Sequence, residues 1–284
     1  LAVAYRSLAK DAHPELSDAL ESELTMLGLL ALIDPPRPEA QNAVKTCQQA
    51  GITPVMITGD HPATALAIAQ RLGIADAEAG VITGEQLARL SDAELAAVVL
   101  QTRVYARVNP EQKIRIVQAL KAKDQFVAMT GDGVNDSPAL KSADVGVAMG
   151  KIGTEVAREA ADLVLLDDDF STIVSAVREG RRIFDNIRKF IKYNMTGNTG
   201  EVLTLFIALL LGLPIPLLPI HILWINLVSD GLPGIALSME REERQIMQRK
   251  PRPFNESIFA FGLWQHMIWM GCLIAALSLL APVL

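Results

Sequence analysis

The sequence has little cysteine, little histidine and no excess of positive charge. Cys47 and Cys272 are its two cysteines, far apart, so neither a disulfide framework nor a zinc site is expected. The four His residues do not cluster. A formal net charge of −6 leaves no basic footprint for nucleic acid, and no nucleic-acid partner is expected. The opening stretch "LAVAYRSLAKDAHPEL" lacks a charged start followed by a long apolar core, so it does not read as a signal peptide. It also lacks an initiator Met, and the chain is expected to begin inside a larger protein.

Length and hydropathy are what the sequence does have. Its 284 residues suffice for one large or two ordinary domains. Half of them are hydrophobic, and the excess lies toward the C-terminus, which splits the chain in two.

From about Glu23 to Leu166, apolar runs suited to buried strands alternate with helical periods. Strands are expected at Leu27 to Ile33, Pro54 to Thr58, Val104 to Ala106, Phe126 to Thr130, Val145 to Ala148 and Leu163 to Leu166. Helices are expected at Glu39 to Ala50, Ala63 to Leu72, Pro110 to Ala122 and Thr154 to Ala160. This alternation predicts a parallel sheet covered on both faces, with ligands beyond the carboxyl ends of its strands. Thr58-Gly59-Asp60 and Thr130-Gly131-Asp132 both fall at such ends.

After Phe170 the pattern changes. A helix is expected from near Ser171, carrying Arg181, Arg182, Arg188, Lys189 and Lys192 into the apolar "EVLTLFIALLLGL", residues 201 to 213. Two further apolar stretches, Leu217 to Leu237 and Ile258 to Leu280, complete three candidate membrane helices, since a bilayer needs about 20 mostly apolar residues. Basic residues precede the first stretch, and Arg241, Arg244, Arg249, Lys250 and Arg252 separate the second from the third. The turn "GLPIPLLP" has none, so the sheet domain is expected in the cytoplasm and that turn outside.

An Asp at a strand end, beside glycines that let backbone N–H groups approach a ligand, can hold Mg²⁺ and phosphate together. The same composition also makes an ordinary turn. In the membrane half, Asn198 and Glu201 lie three apart on one helix face, and Asn226, Ser229 and Asp230 share a face of the next helix. An ionised acid near the bilayer centre costs about 2.5–3.5 kcal/mol even on a lenient scale, so two acids there need a partner, a proton or an ion. Gly231, Pro233 and Gly234 weaken the second helix and can free carbonyls toward the same place. Carboxylates, amide oxygens and carbonyls are hard ligands that suit Ca²⁺. Polar residues that merely glue helices together give the same pattern.

"MITGDHPATA", "ARVNPEQK" and "MTGDGVNDSPALKSADVGVAMG" occur in that order, and together they resemble the P-type cation-transporting ATPases. The closest pattern is the sarcoplasmic-reticulum-type calcium pump. The resemblance implies an α/β haloacid dehalogenase-like (Rossmann-type) phosphorylation domain followed by an α-helical transmembrane region. It implies the end of a nucleotide-binding domain at 1–22, the phosphorylation domain at 23–170, and a stalk with three transmembrane helices at 171–284. ATP and Mg²⁺ are the implied cofactors. By the resemblance Asp132 would ligate Mg²⁺, supported by Asn135 and Asp136. Thr58 and Gly59 would hold the phosphoryl group, Asp60 would stabilise the adjoining loop, and Lys113 would neutralise phosphate charge. Arg37, in "DPPR", also matches a motif of that domain and is expected to contact the nucleotide. "GNTGE" and "WINLVSDGLP" match the calcium pump's ligand pattern at Asn198, Glu201, Asn226 and Asp230, with Ser229 where many such pumps have Thr.

The family's nucleophile, the Asp of an Asp-Lys-Thr-Gly-Thr motif, does not occur. Asp34 follows the apolar "LGLLALI" as such a nucleophile would. However, "DPPRP" supplies neither a hydroxyl two residues on nor an N–H at Pro35 and Pro36. The chain is therefore expected to be the C-terminal part of an ATP-driven Ca²⁺ pump, inactive without the N-terminal part of the same polypeptide and embedded in a lipid bilayer. Alternatives are a pump for Na⁺, H⁺ or Mn²⁺, a membrane-anchored phosphatase of the same fold, and a non-catalytic module.

Overall fold

The computed structural model describes residues 2–7, 22–30, 35–253 and 256–281. The chain divides into two compact units, Leu1–Arg37 and Pro38–Leu284. In the first, β1 (Ala2–Tyr5) pairs antiparallel with β2 (Thr25–Leu29). For its part up to Leu29 this corrects the expectation of a parallel-sheet strand at Leu27 to Ile33; residues 31–33 lie outside the described residues. Asp34 lies outside the described residues.

The second unit begins with α1 (Pro38–Gln49), β3 (Met56–Ile57), α2 (Pro62–Leu72), β4 (Val81–Thr83), α3 (Gly84–Arg89), α4 (Asp92–Val98), β5 (Val104–Ala106) and α5 (Pro110–Lys121). Then come β6 (Ala128–Gly131), α6 (Ser137–Ser142), β7 (Val145–Met149), α7 (Glu155–Ala160) and β8 (Leu163–Leu165). All pairings here are parallel, as expected, but they form two three-stranded sheets, β3-β5-β4 and β6-β7-β8, instead of one. Both TGD strands, β3 and β6, are therefore edge strands.

Local chemistry explains the helix starts. Asn109 accepts from the Gln112 N–H at 2.9 Å while the Gln112 side chain accepts from the Asn109 N–H at 3.1 Å, and Pro110 fits the first helical position. The same reciprocal box opens α3 at Thr83 and α4 at Ser91. Each box is worth about 1 kcal/mol. Leu87, Leu95, Val99, Tyr105 and Ile116 close one core beneath these helices, while Val117, Met129, Leu140 and Ala148 close another.

From Phe170 a single helix, α8 (Phe170–Leu210), runs for 41 residues through three glycines, capped by Asp169, whose side chain accepts from the Ser171 N–H at 2.8 Å. The next segment is α9 (Pro219–Trp224), a π-helical turn at Ile225–Asp230 and α10 (Gly231–Ser238), and the last is α11 (Leu263–Leu280). Among the described residues, Pro219–Ser238 and Leu263–Leu280 are long and apolar enough to cross a membrane, with mean hydropathies of 1.4 and 1.6. Leu223, Trp224, Leu232, Ile235, Trp269 and Leu277 are exposed on them. Apolar surface on this scale is what a lipid-facing helix shows and the core helix of a soluble protein does not. The first expected span coincides with the end of α8, where Asn194, Asn198 and Glu201 dilute the hydropathy.

Glycines let these helices approach closely. A Cβ on Gly200 would lie 2.8 Å from Ile274, and one on Gly271 would lie 2.6 Å from Thr199, so α8 and α11 meet backbone to backbone. A Cβ on Gly234 would meet the Phe190 ring at 2.7 Å.

Candidate functional site

The loops after β3 and β6 carry the first constellation. The Thr58 N–H donates to the Tyr105 carbonyl at 2.9 Å, and the Thr58 carbonyl accepts from Val108 at 3.2 Å. Thr58 Oγ1 accepts from the Asp60 N–H at 3.1 Å, and the Asp60 carbonyl accepts from Arg107 at 3.1 Å. The TGD loop is thus bound to Arg107-Val108, directly before the Asn109 cap. That cap presents Lys113 from the first turn of α5. A Cβ on Gly59 would meet nothing within 4 Å, so packing does not demand this glycine.

Lys113 Nζ donates to Asp136 Oδ1 at 2.5 Å, and Asp136 Oδ2 accepts from the Gly133 N–H at 3.3 Å. A Cβ on Gly131 would come within 2.4 Å of the Asp136 Cβ, so Gly131 is required by close approach. Asp132 and Asn135 are exposed at the same strand end. The Asp132 carbonyl accepts from the Thr154 N–H at 2.8 Å, which fixes the loop and leaves the carboxylate free to turn outward. An exposed carboxylate beside a lysine and glycine amides fits Mg²⁺ with phosphate. Arg37 lies in the N-terminal unit.

A clamp that the sequence reading missed supports this end. Asp168 accepts from the N–H groups of Gly150 at 2.7 Å, Lys151 at 2.9 Å and Ile152 at 2.9 Å, fixing the segment that leads to Thr154. Burial raises its pKa, but the three amide donors more than offset this and hold the carboxyl below the ordinary Asp range. Asp144 does the same for the Val127 N–H at 2.8 Å, with Lys121 alongside, and is likewise held low against the effect of burial. The run Asp167-Asp168-Asp169 before a helix was the available signal, and only its capping part is local.

The second constellation lies among the three long helical segments. A cavity of about 560 Å³ is lined by Tyr193, Gly197, Glu201, Thr204, Ser229 and Asp230, with other residues of α8, α10 and α11. Glu201 Oε1 and Asp230 Oδ2 are buried and have no hydrogen-bond partner among the described residues. Asn198 donates instead to Asn194 Oδ1 at 3.1 Å, and Asn226 is exposed and does not line the cavity. In the π turn Asn226 and Ser229 no longer share the face that α-helical spacing would give them. Among the described residues no three His, Cys, Asp or Glu side chains converge, so two carboxylates alone do not complete a metal site.

A junction joins the two constellations. Arg181 of α8 donates to the carbonyls of Ala50 at 2.8 Å, Ile246 at 2.9 Å and Arg249 at 2.8 Å. Asp185, buried, pairs with Arg249 and Arg252, and Arg252 also stacks 3.8 Å from the centre of the Phe184 ring. The end of α1, the stalk part of α8 and the segment between α10 and α11 thus meet at one point, over Cys47, Val174 and Ile246.

Residues 4–144 match the family described as haloacid dehalogenase-like hydrolase, as do residues 113–177, and residues 214–284 match the cation transporting ATPase C-terminus. A haloacid dehalogenase-like α/β domain followed by helices that match the cation transporting ATPase C-terminus defines the class of protein. The chain belongs to the P-type cation-transporting ATPases. It is 52% identical over 281 residues to a calcium-transporting ATPase of Bacillus subtilis, covering 99% of this chain and 32% of that protein. It is 44% identical over 281 residues to calcium-transporting ATPase 1 of Lactococcus lactis, covering 99% and 32%. It is 47% identical over 263 residues to a probable cation-transporting ATPase F of Mycobacterium tuberculosis, covering 91% and 29%. The chain thus spans about a third of the length of the curated relatives it matches.

Proposed function

We propose that the complete protein containing this chain is an ATP-driven Ca²⁺ pump that returns protons in exchange and works through an aspartyl phosphate. The observation that carries the reading is a pair of buried oxygens without a partner among the described residues, Glu201 Oε1 and Asp230 Oδ2, beside one cavity among the long helices. Buried carboxylates without partners need a cation or protons. Hard oxygen ligands favour Ca²⁺. The names of the Bacillus and Lactococcus relatives support that ion. Once Ca²⁺ leaves, protons satisfy the same carboxyls, and the cycle exchanges one for the other. Asn198, Asn226 and Ser229 would turn in to complete the ligand set, together with groups from the rest of the protein.

At the sheet end, Thr58 and the Gly59 amide would bind phosphoryl oxygens and Asp60 would hold their loop. Asp132 would hold Mg²⁺, with Asn135 and Asp136 ordering its loop, and Arg37 would contact the nucleotide. Bound Mg²⁺ supplies neutralisation of phosphoryl charge. Lys113 stays paired with Asp136 until phosphate arrives and then shares its charge with the phosphoryl group. The acceptor aspartate would come from outside this chain. β3 and β6 are both edge strands, and a strand inserted between them would join the half-sheets and bring its terminal Asp between Thr58 and Asp132. The sheet domain would lie in the cytoplasm, with 1–22, 23–170 and 171–284 as the functional divisions.

The test is ATP-driven uptake of radioactive Ca²⁺ into sealed vesicles carrying the complete protein, with lumenal pH followed in parallel. Uptake with a rise in lumenal pH is expected. Transport of Na⁺ or Mn²⁺ in place of Ca²⁺, or hydrolysis without accumulation of any cation, would overturn the reading.

A further inference from the structure

We propose that Tyr193 is a positioning residue of the cation site, acting through a backbone carbonyl that Pro233 leaves without its helical donor. In an α-helix the Ser229 carbonyl would accept from the amide four residues on. That residue is Pro233, which has no N–H. The helix re-forms at Gly231, and by its register the Gly234 amide belongs to the Asp230 carbonyl. Within a bilayer a bare carbonyl is costly, because no water replaces the missing donor. The Tyr193 hydroxyl, reaching across from α8, donates to the Ser229 carbonyl at 2.5 Å.

This contact has a directional consequence. Ser229 and Asp230 are the last two residues of the π turn, so the bond anchors to α8 the turn that carries Asp230. Asp230 itself faces α8 one helical turn further along, where a Cβ on Gly197 would lie 3.5 Å from its Oδ1. Tyr193 therefore fixes where the Asp230 carboxylate stands relative to Glu201. Pro233 and Tyr193 form one device: the proline frees the carbonyl and the tyrosine catches it. The inference rests on the reading of Asp230 as a cation ligand.

The experiment is a double-substitution cycle in the complete protein, reading the Ca²⁺ concentration for half-maximal phosphorylation from ATP. Tyr193→Phe removes the hydroxyl and keeps the ring. It is expected to raise that concentration roughly three- to tenfold, the worth of one hydrogen bond, without altering the Mg²⁺ dependence. Pro233→Ala supplies an amide for the Ser229 carbonyl, so adding Tyr193→Phe to it should change the Ca²⁺ requirement less than twofold. Pro233→Ser offers the same amide and serves as the second background should the alanine variant fold poorly. Asp230→Asn is measured in parallel. If it weakens Ca²⁺ activation while Tyr193→Phe does nothing, or while Tyr193→Phe acts equally in both backgrounds, the tyrosine device is wrong and the cation site stands. If Asp230→Asn has no effect, the site reading itself has failed.

Discussion

Lys113 Nζ lies 2.5 Å from Asp136 Oδ1, and the two side chains keep only 15% and 11% of their surface exposed. This pair joins the first turn of α5 to the loop after β6, across a sequence separation of 23 residues. Removing one partner leaves the other charge nearly buried and alone. Lys113→Met should destabilise the sheet domain by about 3 kcal/mol, and Asp136→Asn made alongside it should recover much of that loss. Thermal unfolding in detergent, followed for the single and double variants, measures the coupling. Additive losses would mean the ion pair has no structural weight.

Gly59 separates function from packing. A Cβ there meets nothing, whereas one on Gly153 would lie 1.9 Å from the Met149 carbonyl oxygen. Gly59→Ala should therefore change stability by no more than about 0.5 kcal/mol yet sharply reduce phosphorylation, because in the proposed site the methyl group would stand where phosphoryl oxygens approach. Gly153→Ala should instead unsettle the fold. Normal phosphorylation kinetics in Gly59→Ala would remove that loop from the phosphate site.

Acid should loosen the strand ends first. Burial opposes ionisation of Asp144 and Asp168, but the Val127 amide and Lys121 at Asp144, and three amides with Lys151 at Asp168, hold both folded-state pKa values below the ordinary value of 3.8. A group depressed on folding contributes stability fully above its unfolded pKa and loses it as pH falls through the folded value. Stability should thus be flat near neutrality and drop below about pH 4. Asp168→Asn should lower the plateau and flatten that acid limb, as read by unfolding at stepped pH. An unchanged acid limb would mean the three amide bonds do not discriminate between the charged and neutral carboxyl.

Arg181 holds three carbonyls from two segments, one at the end of α1 and two between α10 and α11, and its planar fork makes this possible. Arg181→Lys keeps the charge and loses the fork. It should leave direct Ca²⁺ binding unchanged while slowing Ca²⁺-activated phosphorylation, since the junction lies between the two sites. Stopped-flow phosphorylation beside equilibrium Ca²⁺ binding separates the two. Equal loss of both would make Arg181 a general stabiliser.

What could be read in advance follows the range of the interactions. Asn109, Pro110, Gln112 and Lys113 announce a capped helix within five residues, and α5 starts where they predict. The TGD loops were legible for the same reason, as short strings at the ends of apolar runs. The single sheet was not, because adjacency of β3 and β6 depends on residues far apart in sequence. β4 has only three residues, too few for an alternating pattern to stand out, although the Ser91–Glu94 box that opens α4 was present in the sequence. The face shared by Asn226, Ser229 and Asp230 assumed α-helical spacing, and the π turn changed that spacing. Asp168 and Arg181 act on backbone atoms 16 to 131 residues away, which no local pattern encodes.

The central claim is that Glu201 and Asp230 hold the transported cation. Phosphorylation of the complete protein by inorganic phosphate, titrated with Ca²⁺, tests it most directly, because one site is read through the other. Glu201→Gln and Asp230→Asn keep size and oxygen but remove charge. Each should raise the Ca²⁺ concentration that suppresses phosphorylation by about tenfold or more, since ligand charge sets the affinity of such sites. If both variants retain unaltered Ca²⁺ sensitivity, these carboxylates only fasten helices together and the cation binds elsewhere.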